Sequence, residues 1–517
     1  MKKILFSFSI LITCKALSQI PEDAVRYSWF PNNGSARNMA VGGVMGSLGG
    51  DITATFVNPA GLGFYRTREV VFTPGFLLNK NKANYRDSLS VQKKNGFNFG
   101  PTGVVEGWTN KYNHKQSSAV SLVINQTANF NNRVKYGGLN SYSSYSEIFA
   151  EEFSKSNRSI DDVLQTQSEY PYTSAPALYT YLIDTVRVNG ALQVKAAPEY
   201  LLDAGQALRQ EYDKKTSGGM YELALGLAQN NNDKWLYGIT LGVPFVYYKS
   251  NTIFSESDTS SNTHNNFQSF TYNDNFKSVG IGGNLKIGVI YRPKEYIRFG
   301  FAVHSPSIIK FTDTHSSFLT TIIESNTGVA ETYSVSSNEF TNGSSGKNEY
   351  LQTTPWKAMI SGSYVFREVE NTKRQRGFIS ADIEYVNHRS TRFISWADEP
   401  TDEEKAYYRK LDNVIKHYYK GAFNFRVGGE VKFNTIMGRL GFAYYGSPYK
   451  DAPIKANRML LSGGLGYRNK GFFIDLTYVH QLSKDSDFAY RLEDRANTYA
   501  SLKQRQGNIV VTVGFKY

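Results

Sequence analysis

From Glu69 onward the chain alternates apolar and polar residues in short runs separated by turn-forming residues. In the last run Ile509, Val511, Val513, Phe515 and Tyr517 share one parity, and Asn508, Thr512, Gly514 and Lys516 the other. Phe423, Phe425, Val427, Val431 and Phe433 oppose Asn424, Arg426, Gly428, Glu430 and Lys432 in the same way, and Ile379, Ala381, Ile383 and Tyr385 oppose Ser380, Asp382 and Glu384. A period of two is that of a strand, whose successive side chains point to opposite faces. The pattern predicts fourteen strands, at about 69–78, 96–108, 117–128, 219–229, 235–249, 276–292, 297–311, 355–367, 376–393, 421–433, 437–447, 457–468, 471–482 and 506–517. Their connections sort by length: short ones such as 230–234, 293–296 and 469–470 alternate with long ones such as 129–218, 312–354 and 394–420. Short turns at one end, long loops at the other and an even strand number that leaves no open edge describe a transmembrane barrel. The expected fold is therefore an all-β membrane protein, a 14-stranded antiparallel transmembrane β-barrel with lipid outside and a polar lumen. A soluble sheet would share the alternation within one strand but not this ordering of loops.

Two stretches depart from the alternation. The segment Gly42–Phe64, GGVMGSLGGDITATFVNPAGLGF, is too dense in glycine for a helix or strand interior and too apolar for a solvated linker. A compact plug inside the barrel suits it, because glycine lets backbone approach backbone closely. Residues 129–218 form the largest insertion, with helices expected over Tyr145–Gln165, Pro176–Val186 and Pro198–Tyr212 and a cap at Ser159-Ile160-Asp161-Asp162. Another outer helix is expected over 401–418. At the very start, Lys2 and Lys3, the apolar run Ile4–Ile12 and Ala16-Leu17-Ser18 read as a cleavable secretory leader. Cys14 after Leu11-Ile12-Thr13 is a poor lipoprotein box, since Thr precedes it. The expected division is a signal peptide at 1–18, a periplasmic-side hatch at 19–68 and the barrel at 69–517, with 129–218 as a helical extracellular insertion.

Composition narrows the chemistry. Tyr (36) and Phe (33) far outnumber Trp (5), and no stretch approaches the roughly 18–20 apolar residues of a spanning helix. The net charge of +13 is spread among loops and turns rather than gathered on one face, so no nucleic-acid partner is expected. The one cysteine lies in the leader, which leaves no disulfide, thiol nucleophile or cysteine metal site after it. No GxxxxGK[ST], HExxH, GxSxG or CxxC motif occurs, and the seven histidines are scattered. His304 near Ser305 and Ser307 has no carboxylate placed by sequence to orient it. No catalytic residue, metal site or cofactor is expected, and the chain does not read as an enzyme. The lumen parity instead carries Lys286, Arg298, Lys357, Arg426, Lys432 and Arg439 against Glu222, Asp382, Glu384, Glu430 and Asp475. An open selective pore shows a ring of one sign; this near balance reads as ion pairs gripping a plug, with Arg298, Asp382, Glu384, Arg426, Glu430 and Arg439 the candidates. Pro101, Pro244 and Pro306 fall inside strands and remove ladder donors, so each marks a candidate kink that opens a sideways gap or merely adjusts the barrel's shape.

The stretch GGDITATFVNPAGLGF resembles the Asn-Pro-Ala hatch segment of FadL/TodX-type outer-membrane transporters of hydrophobic compounds. The strand end IRFGFAVHSPS from Ile297 is similar to the family's Gly-x-x-Tyr-x-Ser-Pro pattern, with His304 as a departure, and the run from Gly438 resembles its closing strands. The resemblance implies a hatch-plugged fourteen-stranded barrel that passes long-chain fatty acids or other apolar molecules and releases them laterally beside a kinked strand. The carried-over motif is Asn58, Pro59 and Ala60, with Asp51 and Gly61 beside it as gating candidates and Phe56 and Phe64 as candidate ligand-lining rings. The expected location is the Gram-negative outer membrane, and the expected partners are a hydrophobic small molecule and outer-membrane lipid. A structural role in a protein-secretion complex, with partner proteins and no transported ligand, stays open as the alternative; a general porin is a third reading, and a porphyrin is one form the apolar cargo can take.

Overall fold

A computed structural model describes residues 23–188, 191–325, 327–366, 376–450 and 456–517; the proposed leader, with Cys14, lies outside them. Fourteen strands close into one antiparallel ring. In chain order they are β1 (Glu69–Phe72 and Pro74–Tyr85), β2 (Ser88–Lys93, Gly96–Phe99 and Thr102–Thr109), β3 (Ser117–Asn129 and Asn132–Asn140) and β4 (Leu208–Asn231). Next come β5 (Trp235–Asp258), β6 (Ser269–Lys294), β7 (Ile297–His304 and Ile308–Glu324), β8 (Gly346–Thr353 and Lys357–Phe366) and β9 (Gly377–Asn387 and Arg392–Ser395). The ring ends with β10 (Gly421–Phe433), β11 (Ile436–Tyr445), β12 (Arg458–Asn469), β13 (Phe472–Asp487) and β14 (Ala500–Lys516). Closure is direct: Lys516 pairs with Glu69 and Val510 with Gly75. Each of the fourteen expected segments coincides with one barrel strand.

The barrel is apolar outside and polar inside. Along β10 the rings of Phe423 and Phe425 are exposed while Asn424, Arg426 and Glu430 are buried. Along β5 the outward positions run Trp235 and Tyr237, then Ile239, Leu241, Val243 and Phe245, then Tyr247, all exposed. At about 3.3 Å per residue and a tilt of roughly 40°, that stretch spans on the order of 30 Å, the thickness of a hydrocarbon core flanked by aromatic girdles. The inner girdle includes Trp235 against Tyr291 with ring centres 4.3 Å apart, and Phe472 against Phe515 at 5.2 Å.

Beyond the outer girdle several strands run on. The β4–β5 ladder is unbroken from Asn231↔Trp235 out to Leu208↔Asp258, well past the predicted ends. Inside this extension the insertion packs Phe149, Phe153, Leu178 and Leu182 against Phe254 and Phe270 of β5 and β6. The helix α1 (Glu147–Ser156) stops at Asn157, which is left-handed (φ 52°), and a short turn restarts behind the expected Ser159 cap, whose side chain accepts from Asp162 N. Two expected helices are cut short. Pro176–Val186 is helical only over Ser174–Tyr179 and then enters a hairpin of Ile183–Val188 with Ala191–Ala196, while Pro198–Tyr212 is helical over Ala197–Asp203 before joining β4. The expected outer helix is present as α2 (Asp402–Tyr418), capped by Thr401; its Tyr408, Leu411 and Ile415 roof the lumen above Tyr27 and Trp29.

Candidate functional site

The segment from Ser35 to Phe64 runs inside the ring, and its backbone bonds directly to inward side chains of the wall. Thr512 Oγ1 accepts from Ala36 N (2.7 Å), Thr477 Oγ1 donates to Ala36 O (2.6 Å), and Ser117 Oγ donates to Gly63 O (2.9 Å). Asp382 accepts from Met45 N (3.0 Å) and Gly46 N (3.2 Å), Arg298 donates to Leu48 O (2.8 Å), and the His304 ring meets Val57 O at 2.8 Å. Polar satisfaction of an irregular buried segment is obligatory, and here the wall supplies it. Close approach depends on wall glycines: a Cβ at Gly288 would stand 1.8 Å from Asn58 Oδ1, and one at Gly428 2.1 Å from Val41 O.

Within the segment, Asn58 ties two limbs together. Its Nδ2 donates to Gly46 O (2.5 Å) and its Oδ1 accepts from Ala60 N (3.1 Å), capping the turn Pro59–Phe64. Gly61 N donates to Asn58 O (2.9 Å) and Gly61 O accepts from Gly50 N (3.1 Å), while Asp51 accepts from Ser35 Oγ (2.8 Å) and Thr53 N (2.9 Å). Phe56 lines the innermost cavity. Phe64, in contrast, packs beside Ala60, Leu236 and Ile290, with the guanidinium of Arg298 over its ring at 4.6 Å.

Among the lumen cations Arg439, Arg426 and Lys286 stand in ion pairs. Arg439 bonds Glu430 (2.6 Å) and Asp475 (2.5 Å), Arg426 lies 3.7 Å from Asp382 and 3.5 Å from Glu384, and Lys286 pairs with Glu222. Arg37 of the inner segment joins the first cluster at Glu430 (3.3 Å). The ion pairs thus lie between wall strands and touch the enclosed segment at Arg37, Met45 and Gly46.

The three prolines do different things. At Pro244, β5 stays paired with β4, and only the pairs of Val243 and Pro244 with β6 drop out. Pro306 sits in the break of β7, level with the break at Pro355 in β8, and the register with β6 shifts there. At Pro101 the wall itself parts. Inward of it, Thr102–Thr109 pairs with β3 up to Thr102↔Ile124; outward of it, Gly96–Phe99 pairs with β1 alone, and 125–129 of β3 with β4 alone. Among the described residues no backbone ladder joins these two edges. Side-chain amides bridge them instead: Phe99 N donates to Gln126 Oε1 (3.2 Å) and Asn129 Nδ2 to Phe97 O (3.1 Å). Asn33, from the enclosed segment's approach, donates to both edges, at Phe99 O and Gln126 O (2.9 Å each).

Three cavities follow one another past this seam. An outer chamber of about 620 Å³ is walled by tyrosines, among them Tyr145, Tyr212, Tyr272 and Tyr490, with Asp274, Asp485 and Asp487. It shares Arg26 and Tyr248 with a middle chamber of about 290 Å³, whose wall includes Asn33, Asn98, Gln126 and Asn129 and so lies directly behind the seam. That chamber shares Phe30, Asn32, Asn33 and Thr127 with an inner one of about 100 Å³ above Val57, where Glu222, Lys286, Lys357 and Glu384 gather. The proline is visible in the sequence, and the wall glycines Gly288 and Gly428 fall on the lumen parity; Gln126 does not, because a register shift against β4 turns it inward.

No family model and no curated protein matches the chain. Among solved structures, a FadL homologue of Pseudomonas aeruginosa is similar over 93% of this chain and 98% of its own, with TM-score 0.50 and 14% identity. The toluene transporter TodX of Pseudomonas putida gives TM-score 0.49 at 13% identity over 94% and 99% of the two chains. TbuX, the toluene transporter of Ralstonia pickettii, gives 0.47 at 13% over the same shares. At these identities the likeness is one of fold, carried by the first: a FadL-type barrel.

Proposed function

We propose that this FadL-type barrel is a passive outer-membrane channel for hydrophobic and amphipathic compounds, which enter at the outer chamber and leave sideways into the membrane through the seam at Pro101. The observation that carries the reading is the missing ladder between Gly96–Phe99 and 125–129, backed by a cavity, in a barrel whose bore is filled below by Ser35–Phe64. A molecule captured outside then has no axial route but a lateral one. The driving force is transfer of apolar surface, about 0.8 kcal/mol per CH₂, with no energy input. Residues 19–68 act as the periplasmic-side hatch of the 69–517 barrel, delivered by the leader at 1–18. Asp51, Asn58, Pro59, Ala60 and Gly61 keep the hatch folded, Phe56 meets cargo that reaches the inner chamber, and Asn33 latches the seam until cargo displaces it.

The test uses Phe97→Cys with Asn129→Cys, joined by a short bis-maleimide across the seam; with the leader removed these are the chain's only thiols. Uptake of a labelled C10 compound (decane, decanoate or decanoylglycerol) is measured in Gram-negative cells lacking their own route for it. Cross-linking is expected to reduce uptake to that of cells without the protein. Undiminished uptake in the cross-linked protein would remove the lateral route, and a purified protein carrying no apolar molecule but a stable protein partner would favour a secretion-complex role.

A further inference from the structure

The three chambers differ in chemistry, and the difference concerns what is carried. Charges gather in the inner chamber and tyrosines with aspartates in the outer one. Of the twenty-five residues around the middle chamber, twelve are Asn or Gln, and none of them is a carboxylate. Its two guanidinium groups lie on aromatic faces, Arg26 over Tyr248 at 4.5 Å and Arg458 over Trp29 at 4.0 Å. The same chamber presents apolar wall at Phe30, Met39, Leu77, Phe130, Leu460 and Val479.

Several of the amides are short of donors. Among the described residues, Asn33 Oδ1, Asn98 Oδ1 and Asn508 Oδ1 are buried and accept no hydrogen bond, and Asn125 Oδ1 at the inner chamber is in the same state. Buried acceptors left unpaired are costly. These oxygens are closed off from the chamber as they stand, so what a head group meets is the rest of the amide wall: a hydrocarbon offers it nothing, and a carboxylate meets only its donors and the two guanidinium groups. A hydroxyl or amide offers both donor and acceptor, matching what an Asn or Gln wall presents.

We infer that the middle chamber binds an amphipath with an uncharged, hydroxyl- or amide-bearing head, held by the amides around Asn98, Gln506 and Asn508, with its alkyl part along Leu77, Leu460 and Val479 toward the seam. The inference rests on the channel reading and specifies its cargo.

The full chain in nanodiscs is equilibrated by dialysis with labelled decanoylglycerol, decanoate or decane, and binding to empty nanodiscs is subtracted. Decanoylglycerol is expected to bind about tenfold more tightly than either of the others, the worth of one to two net hydrogen bonds. Asn98→Leu and Gln506→Leu, chosen at separate strands so that one survives if the other misfolds, each reduce that preference by about threefold. Equal or tighter binding of decane or decanoate overturns the inference and leaves the channel standing. A preference unchanged in both variants also overturns it, because the head then binds elsewhere. Binding of none of the three above empty nanodiscs overturns inference and channel together.

Discussion

Replacing Asp382 by Ala tests whether Ser35–Phe64 is docked to the wall or merely enclosed by it. The carboxylate is buried and accepts from Met45 N at 3.0 Å, Gly46 N at 3.2 Å and Ser361 Oγ at 2.6 Å. Hydrogen bonds to a charged acceptor are worth about 1.5–3 kcal/mol each, so the two made by the inner segment amount to about 4 kcal/mol of docking. Arg426 loses one of its two carboxylates but keeps Glu384 at 3.5 Å, so the wall does not meet the full cost of a stranded buried cation. At 1.4 kcal/mol per decade, the undocked population rises on the order of 10³-fold, while the β9–β10 ladder around position 382 stays intact. Two readouts follow the segment and one follows the barrel: single-channel conductance in planar bilayers, protease cleavage within 36–64, and the compact band of the unheated barrel on gels. Asp382→Ala should show frequent open events and faster cleavage with the compact band retained. A variant as silent and as protected as the parent, with its barrel intact, would refute the claim that wall carboxylates hold the segment in place.

Gly288→Ala places a methyl carbon 1.8 Å from Asn58 Oδ1, and overpacking of this kind costs about 1–3 kcal/mol; faster cleavage within 36–64 should report it, and unchanged protection would deny the close approach. Leu440, 74% exposed on the outer face of β11, should cost about 2–4 kcal/mol when changed to Arg if it faces the bilayer midplane; guanidinium unfolding in lipid vesicles measures this, and a cost near zero would place it outside lipid. In the outer region, burial pushes the Glu256 carboxyl up to about 8 and Glu147 nearby to about 7. Because the folded state holds these protons more tightly than the unfolded one, their stabilisation is present below about pH 4.5 and is lost as pH rises through 7 and 8. Amide exchange over 144–180 should therefore accelerate from pH 5 to 8.5 beyond its intrinsic rise, and Glu256→Gln should flatten that excess; an identical profile in the variant would refute it.

The fourteen strands were legible because lipid imposes a strict rule: every outward position in the membrane must be apolar, so Ile509 to Tyr517 or Phe423 to Phe433 read out directly as a period of two. Outside the bilayer the rule lapses. Arg209, Glu211, Asp213 and Lys215 alternate with Gln210 and Lys214 in the outer half of β4, where water touches the wall, and the strand's continuation to Leu208 was lost from view. The expected helix Pro176–Val186 overruns into the hairpin's first strand, Ile183–Val188, because Pro176 signals a helix start and so short an apolar run does not distinguish the two periods.

The sequence alone determined that this chain closes a barrel with an apolar exterior, nearly balanced charges within and a glycine-rich beginning suited to close packing, since each of these is a matter of local pattern and composition. Only the tertiary structure decided which proline matters. Pro101, Pro244 and Pro306 are equivalent in one dimension, yet a gap depends on whether the neighbouring strand follows the kink, and β3 turns to β4 while the outer part of β2 stays with β1. The amide chamber behind that gap draws Asn33, Asn98, Gln126 and Asn508 from positions up to 475 residues apart; closing the ring brings them together, and no local pattern encodes that meeting.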